Sequence, residues 1–118
     1  MPRYALLRHT GAPDDPSGCH IDLLLEHGDS CRTWRLATVP RPNAGGQPAV
    51  PLPPHRRAWL EPRSAAVSGN RGWAERIHAG SYSGVLPNAT DADVTLQLQG
   101  DLQGCLRIAN GNCSLTIP

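Results

Sequence analysis

The chain has no phenylalanine, no lysine and no long hydrophobic run. Its large aromatic side chains are three tryptophans and two tyrosines, so the core has to be built from Leu, Val, Ile and Ala. No segment approaches the ~20 apolar residues that a membrane-spanning helix needs, and the first residues lack the apolar run of a secretory signal. These absences predict a cytoplasmic protein without a membrane partner.

Charge is scarce as well, with 18% charged residues and a formal net charge of +1. This balance excludes the strong electrostatic footprint of a protein that coats nucleic acid. All 11 basic residues are arginine. Arginine contacts phosphate oxygens bidentately, although an all-arginine set is also typical of a GC-rich genome. Any phosphate binding must therefore come from a few local arginines.

The cysteines lack the short C-x-x-C spacing of structural zinc sites. Four are present, at Cys19, Cys31, Cys105 and Cys113. This spacing predicts buried free thiols. Cys19, which precedes His20, is a candidate for the margin of a site.

Turn-forming residues are abundant, with 12 glycines and 12 prolines, which favours short elements over long helices. Apolar and polar residues alternate over 94–98, 102–108 and 113–117, as in strands joined by tight turns. The chain is predicted to be all-β: one domain over 1–118 that forms a small antiparallel β-barrel of roughly eight strands, with a long Pro-rich loop over 39–54 and little helix. The predicted core consists of Ile21, Leu23, Leu25, Leu96, Leu106, Leu115 and Ile117.

The most informative stretch is the predicted strand over 20–26. Side chains alternate between the faces of a strand, so His20 and Asp22 share one face, with Cα atoms roughly 6.5–7 Å apart. Both could reach one ion at bonds of about 2.0–2.2 Å. His9 ends the preceding strand and His55 follows the Pro-rich loop. A solvated polar face would show the same pattern, and that alternative is expected for His27 and His78.

Several short motifs follow one another in an order that resembles the 3′-phosphoesterase domain of bacterial DNA ligase D and the small stand-alone proteins related to it. A His at the end of a strand precedes a His-x-Asp pair, an apolar-acidic stretch and a hairpin. A tryptophan, a Pro-rich loop and a further histidine come next, and then glycine turns. In this sequence the motifs are His9, His20-Ile21-Asp22, 23–26, Gly28-Asp29, Trp34, His55, 69–72 and Gly80-Ser81-Tyr82. The resemblance extends over essentially the whole chain.

This resemblance implies a β-barrel with a divalent metal, usually Mn²⁺, at one end, and His9, His20 and Asp22 as its ligands. The donor types themselves suit Mn²⁺ or Zn²⁺. The implied activity removes a 3′-terminal ribonucleotide or 3′-phosphate from DNA or RNA/DNA ends during repair, with a ligase or another repair protein as a possible partner. His9 and Asp22 would act in catalysis as ligands, and His55 would contact the scissile phosphate or protonate the leaving oxygen.

The chain departs from the ligase-type pattern where the family binds phosphate. Leu24 and Gln47 stand at positions that carry arginine in the family, and Trp59 stands at a tyrosine position. The candidate replacements are Arg56, Arg57 and Arg71, with Arg107 as a further one. Two function classes stay open: a metal-dependent 3′-end phosphoesterase, or a catalytically altered β-domain that binds a metal and a phosphorylated, nucleic-acid or protein ligand. Trp59 would stack on a base or pack in the core.

Overall fold

A computed structural model describes all 118 residues, and nearly all regular structure in it is antiparallel β. The one helical element is a single 3₁₀ turn at Arg57–Leu60, and no helix has the length and apolar character to cross a membrane. The ten strands are β1 (Arg3–Thr10), β2 (Cys19–His27), β3 (Ser30–Leu36), β4 (Gln47–Pro48), β5 (Val50–Arg56), β6 (Ser64–Ala66), β7 (Trp73–Ser83), β8 (Val94–Gly100), β9 (Gly104–Ala109) and β10 (Asn112–Thr116).

The strands form one sheet in the order β4-β10-β9-β8-β7-β1-β2-β3-β5, with β6 added on β7. Its two end strands, β4 and β5, follow each other in the chain and are separated only by the buried Ala49. The sheet therefore curls until its edges meet, although no ladder joins β4 to β5. The predicted all-β class is confirmed, while "barrel" describes this open, curled sheet only loosely.

The inner face of the sheet carries the main hydrophobic core, a cluster of 17 buried residues. Six of the seven core residues predicted from the sequence belong to it. The prediction for Ile117 is wrong: its side chain is 41% exposed. Strand β10 ends at Thr116, so Ile117 lies beyond the last ladder pair, where strand alternation no longer decides which side chain is buried.

The Pro-rich segment differs from the predicted surface loop, because its second half is strand β5, which pairs with β3 through Leu52 and Pro51. Proline has no N–H to donate, so it is tolerated on an edge strand. Strand β5 is the last strand of the sheet and pairs on one side only. The register shifts between Cys31 and Thr33, which accommodates the prolines before His55.

The outer face carries a second, smaller cluster of buried apolar side chains. The 3₁₀ turn covers part of it through Leu60, with Trp59 and Val67 packed at its border. Leu24 belongs to this cluster and shares its strand face with His20 and Asp22. The sheet therefore has an inner face filled by the main core and an outer face that is covered only in part. The six members are Ala5, Leu7, Leu24, Cys31, Leu60 and Ala74.

All four cysteines are free, as predicted, but they are not all buried. Cys31 lies in the outer cluster and Cys113 in the inner core, and burial raises the pKa of each thiol to about 11. Cys105 is partly buried. Cys19 is exposed at the start of β2. The prediction of burial is wrong for Cys19: it shares the inner strand face with Ile21 and Leu23, but the inner cluster begins only at Ile21.

Candidate metal centre

Three buried polar side chains meet on the outer face where β1 ends and β2 begins. His9 on β1 is the cross-strand partner of His20 on β2, and Asp22 follows one pleat further along β2. The imidazole ring centroids are 4.7 Å apart, and the Asp22 side chain is fully buried. One ligand atom from each of the three residues lies within 4.8 Å of the others, so the group could hold a metal ion.

His9 is oriented by a backbone carbonyl. Its Nε2 lies 2.7 Å from the carbonyl oxygen of Arg71. A carbonyl only accepts hydrogen bonds, so Nε2 carries the proton and donates it. In the neutral ring, Nδ1 then has a lone pair, which faces Asp22 Oδ2 at 3.1 Å. Two lone pairs at this distance repel each other unless a cation, either a proton or a metal ion, lies between them.

His20 is oriented by a carboxylate in the loop between β1 and β2. Its Nδ1 lies 2.7 Å from Asp15 Oδ2. Hydrogen bonds from Ser17 and from His20 lower the pKa of Asp15 to about 2, which keeps this carboxylate ionised as the acceptor. The Nε2 lone pair of His20 is therefore directed away from Asp15. A carboxylate or carbonyl on the outer nitrogen is the usual support of a metal-binding histidine, and both histidines have one.

Two of the atoms that face the centre of the group lack hydrogen-bond partners. His20 Nε2 and Asp22 Oδ1 are 3.1 Å apart, yet each is buried without a hydrogen bond. Buried polar atoms without partners are rare and call for an explanation such as a water or an ion. Bonds of about 2.1 Å to one ion place neighbouring donor atoms about 3.0–3.4 Å apart. The donor types and this separation both fit a divalent metal.

His55 approaches the same centre from the edge strand β5. Its Nδ1 lies 3.1 Å from the carbonyl oxygen of Pro53 and donates to it, which leaves Nε2 free. That Nε2 is 3.8 Å from Asp22 Oδ2, and the His55 side chain is a quarter exposed. The structure thus places His55 beside the three candidate ligands, as the sequence predicted, on a more open side. Its catalytic role stays a prediction.

A cleft of about 610 Å³ opens in front of the centre. His9, Asp22 and His55 line its floor, and the 3₁₀ turn and the 63–71 segment contribute its walls. Trp59 lies in one wall with the Arg63 guanidinium 4.5 Å from its ring centroid. Trp59 is therefore half-buried: it packs against the outer cluster and also borders the cleft. This position is intermediate between the two sequence-based alternatives, packing in the core and exposure for stacking on a base.

The predicted phosphate-binding arginines separate into two groups. Arg56 and Arg71 line the cleft, although the Arg71 side chain donates to Ser68. Arg57 and Arg107 do not line it. Arg57 Nε is 3.3 Å from Glu26 Oε2, and Arg107 pairs with Asp93.

Two cleft arginines, Arg35 and Arg63, were missed from the sequence. A signal for Arg35 was present: a tight turn at Gly28-Asp29 pairs His27 with Ser30, and counting back along that hairpin places Arg35 opposite Asp22. No comparable signal marked Arg63, which lies outside regular structure and reaches the cleft by stacking on Trp59.

Two positions at which the sequence differs from the ligase-type pattern, Leu24 and Gln47, do not line the cleft. Leu24 is fully buried among the apolar side chains of the outer cluster. Gln47 lies on β4, away from the cleft, and its side chain accepts hydrogen bonds from the backbone N–H groups of Ala37 and Thr38. Neither position contributes to the site. No protein-family model and no curated protein sequence matches this chain.

Proposed function

We propose that this protein is a divalent-metal-dependent phosphoesterase that removes a 3′-terminal ribonucleotide or 3′-phosphate from DNA or RNA/DNA ends, similar to the phosphoesterase domain of DNA ligase D. The observation that carries the proposal is the convergence of buried, unpartnered donor atoms of His20 and Asp22 with His9 beside an arginine-lined cleft. Mn²⁺ and Zn²⁺ both suit this donor set.

The residues of the candidate site have different proposed roles, according to where they lie. His9, His20 and Asp22 would hold the ion, with the Arg71 carbonyl and Asp15 keeping the two imidazoles in place. The ion, when bound, supplies a Lewis acid that offsets charge on the phosphoryl oxygens. The cleft arginines would bind the remaining oxygens.

His55 fits the role of general acid. The Pro53 carbonyl fixes its ring through Nδ1, so Nε2 is the atom that would hold the proton for the leaving oxygen. Its partial exposure leaves room for substrate between His55 and the ligands. General acid catalysis contributes about 10²–10⁴-fold to rates, so removal of this side chain would be a large loss.

Two substitutions test the division of roles on a primer–template with a 3′-terminal ribonucleotide. Asp22→Ala should abolish release of the ribonucleotide together with Mn²⁺ affinity, and excess Mn²⁺ should restore part of the activity. His55→Ala should reduce turnover by about 10²–10⁴-fold with Mn²⁺ affinity nearly unchanged and no rescue by added metal. His27→Ala, outside the cleft, is the matched control. Equal rescue of both variants by Mn²⁺ would contradict the roles.

A second candidate function is a binding domain that uses the same cleft without turnover. It is favoured by the cleft arginine Arg71, whose side chain is already engaged by Ser68. The same assay discriminates the two. A wild-type protein that binds Mn²⁺ and leaves both 3′-phosphate and 3′-ribonucleotide ends intact would be the binding domain.

A further inference from the structure

Arg35 occupies a special position on the floor of the cleft. It is the direct cross-strand partner of Asp22, so its side chain leaves the sheet on the same face. The Cβ atoms of such a pair are about 4.5–5.5 Å apart. Arg35 lines the cleft together with His9, Asp22 and His55. No other arginine starts from a strand position paired with a residue of the candidate metal centre.

The hydrogen bonds of Arg35 are incomplete. Its Nη2 contacts both carboxylate oxygens of Asp14, at 3.2 and 3.1 Å. Its Nε is buried and has no hydrogen-bond partner. A guanidinium has five N–H donors and is always charged, and a buried donor without an acceptor is costly. The arginine is therefore short of one acceptor in a cleft that is open to solutes.

The surroundings favour an anion as that acceptor. Four arginines line the cleft (Arg35, Arg56, Arg63, Arg71), against two aspartates, Asp14 and Asp22. A divalent ion on Asp22 would add positive charge beside Arg35. A phosphoryl group offers oxygens in the geometry that a guanidinium fork accepts bidentately.

We propose that Arg35 is the phosphoryl-binding residue of this cleft and that Asp14 occupies its guanidinium when no ligand is bound. The identity of the ligand rests on the proposed function, whereas the anion site itself rests on Arg35 and its partners. The Asp14 side chain is 72% exposed, against 24% for Arg35, so water screens the pair from the Asp14 side and a phosphate oxygen can displace the carboxylate. Asp14 comes from the same loop as Asp15, so one loop touches both the metal centre and the anion site.

The test titrates inorganic phosphate into the full, chelator-treated chain and follows the arginine Nε–Hε resonances in ¹H–¹⁵N spectra. In the wild type, the Arg35 resonance should move. Arg35→Gln should weaken phosphate affinity by about 10–100-fold, as expected for a charge-assisted hydrogen bond. The phosphate affinity of Arg35→Lys should lie between those of the wild type and Arg35→Gln, because lysine keeps the charge but cannot bind two oxygens bidentately. Asp14→Asn should strengthen binding by about two- to fivefold.

Arg107→Gln is the matched control, because it removes the same charge outside the cleft and should leave phosphate binding unchanged. A stationary Arg35 resonance overturns the proposal, as does equal affinity in Arg35→Gln and the wild type or equal weakening by Arg107→Gln. The anion site and the proposed enzymatic function can be contradicted independently of each other. Phosphate binding at Arg35 without turnover of 3′ ends contradicts only the enzyme, and turnover with unchanged kcat/KM in Arg35→Gln contradicts only the anion site.

Discussion

The two faces of the sheet differ in the kinds of residue that they bury. The inner face curls around 17 buried residues, all of them hydrophobic. The outer face has six buried apolar residues, and beside them it buries two histidines and an aspartate. The inner cluster draws on strands from β1 to β10, whereas the outer cluster is confined to β1, β2, β3, β7 and the 3₁₀ turn.

This difference explains where a polar site can be built at low cost. Buried polar groups destabilise a core unless every one is paired. On the outer face, Asp15 and the Arg71 carbonyl come from loops and pair the outer nitrogens of His20 and His9 without interrupting the inner core. His20 Nε2 and Asp22 Oδ1, which face the centre of the group, stay without hydrogen-bond partners. The inner face therefore holds the fold together, and the outer face carries the candidate chemistry.

The largest expected effect comes from a cavity in the inner face. Leu106→Ala should reduce the free energy of unfolding by about 2–5 kcal/mol, because Leu106 is fully buried. Metal affinity of the folded protein should persist, since no ligand touches Leu106. Urea denaturation and a metal titration check both. Ile117→Ala, at an exposed position, is the control and should change stability by less than about 0.5 kcal/mol. Loss of metal affinity in Leu106→Ala with an unchanged free energy of unfolding would contradict the assignment of stability to the inner face and metal binding to the outer face.

A smaller effect, on binding alone, is expected from the loop that supports His20. Asp15→Asn should weaken metal affinity by about 10–100-fold, as is typical for the outer partner of a metal-binding histidine. The neighbouring Asp14→Asn is a matched control, because Asp14 pairs with Arg35 and does not contact His20. Calorimetric titration with Zn²⁺ measures both variants. Equal weakening in the two would mean that the loop acts only through its charge.

The smallest expected effect is on the rate at which buried cysteines on the two faces of the sheet become accessible to a thiol reagent. Cys31 and Cys113 are both buried with pKa values raised to about 11, so at pH 8 each reacts with a thiol reagent only after local opening. The outer cluster is covered by only the 3₁₀ turn and the short strand β6. These elements should open more often than the inner core. Mass spectrometry should find Cys19 labelled first, then Cys31, then Cys113. Labelling of Cys113 before Cys31 would reverse the comparison.

Much of the inner face was predictable from the sequence. Alternation of apolar and polar residues identified β8, β9 and β10, and the shared face of Ile21, Leu23 and Leu25 identified β2. Period two therefore predicted most of the inner core, although β2 is buried on both faces. The same rule failed at Ile117, where pairing ends, and in the Pro-rich segment, where an edge strand needs no donor on its free side. These errors lie at strand ends and sheet edges, where local pattern carries least information.

The outer face was predictable only in part. Strand geometry brought together His20 and Asp22, and the order of motifs added His9 and His55. The supporting contacts from Asp15 and the Arg71 carbonyl depend on loop conformations that no short pattern encodes. Arg35 lies between these cases: the hairpin register places it opposite Asp22, but only the folded loop shows that Asp14 is its partner.

Metal binding at the outer face is tested most directly by Mn²⁺ titration of the wild-type chain, observed through the imidazole NMR signals of its five histidines. The account predicts that His9 and His20 lose intensity first, at low ratios of Mn²⁺ to protein, and His55 with them because its Nε2 is 3.8 Å from Asp22. His27 and His78 should persist, and Asp22→Asn should remove the selectivity. Equal loss at all five histidines, or no loss at any, would contradict a metal centre at His9, His20 and Asp22.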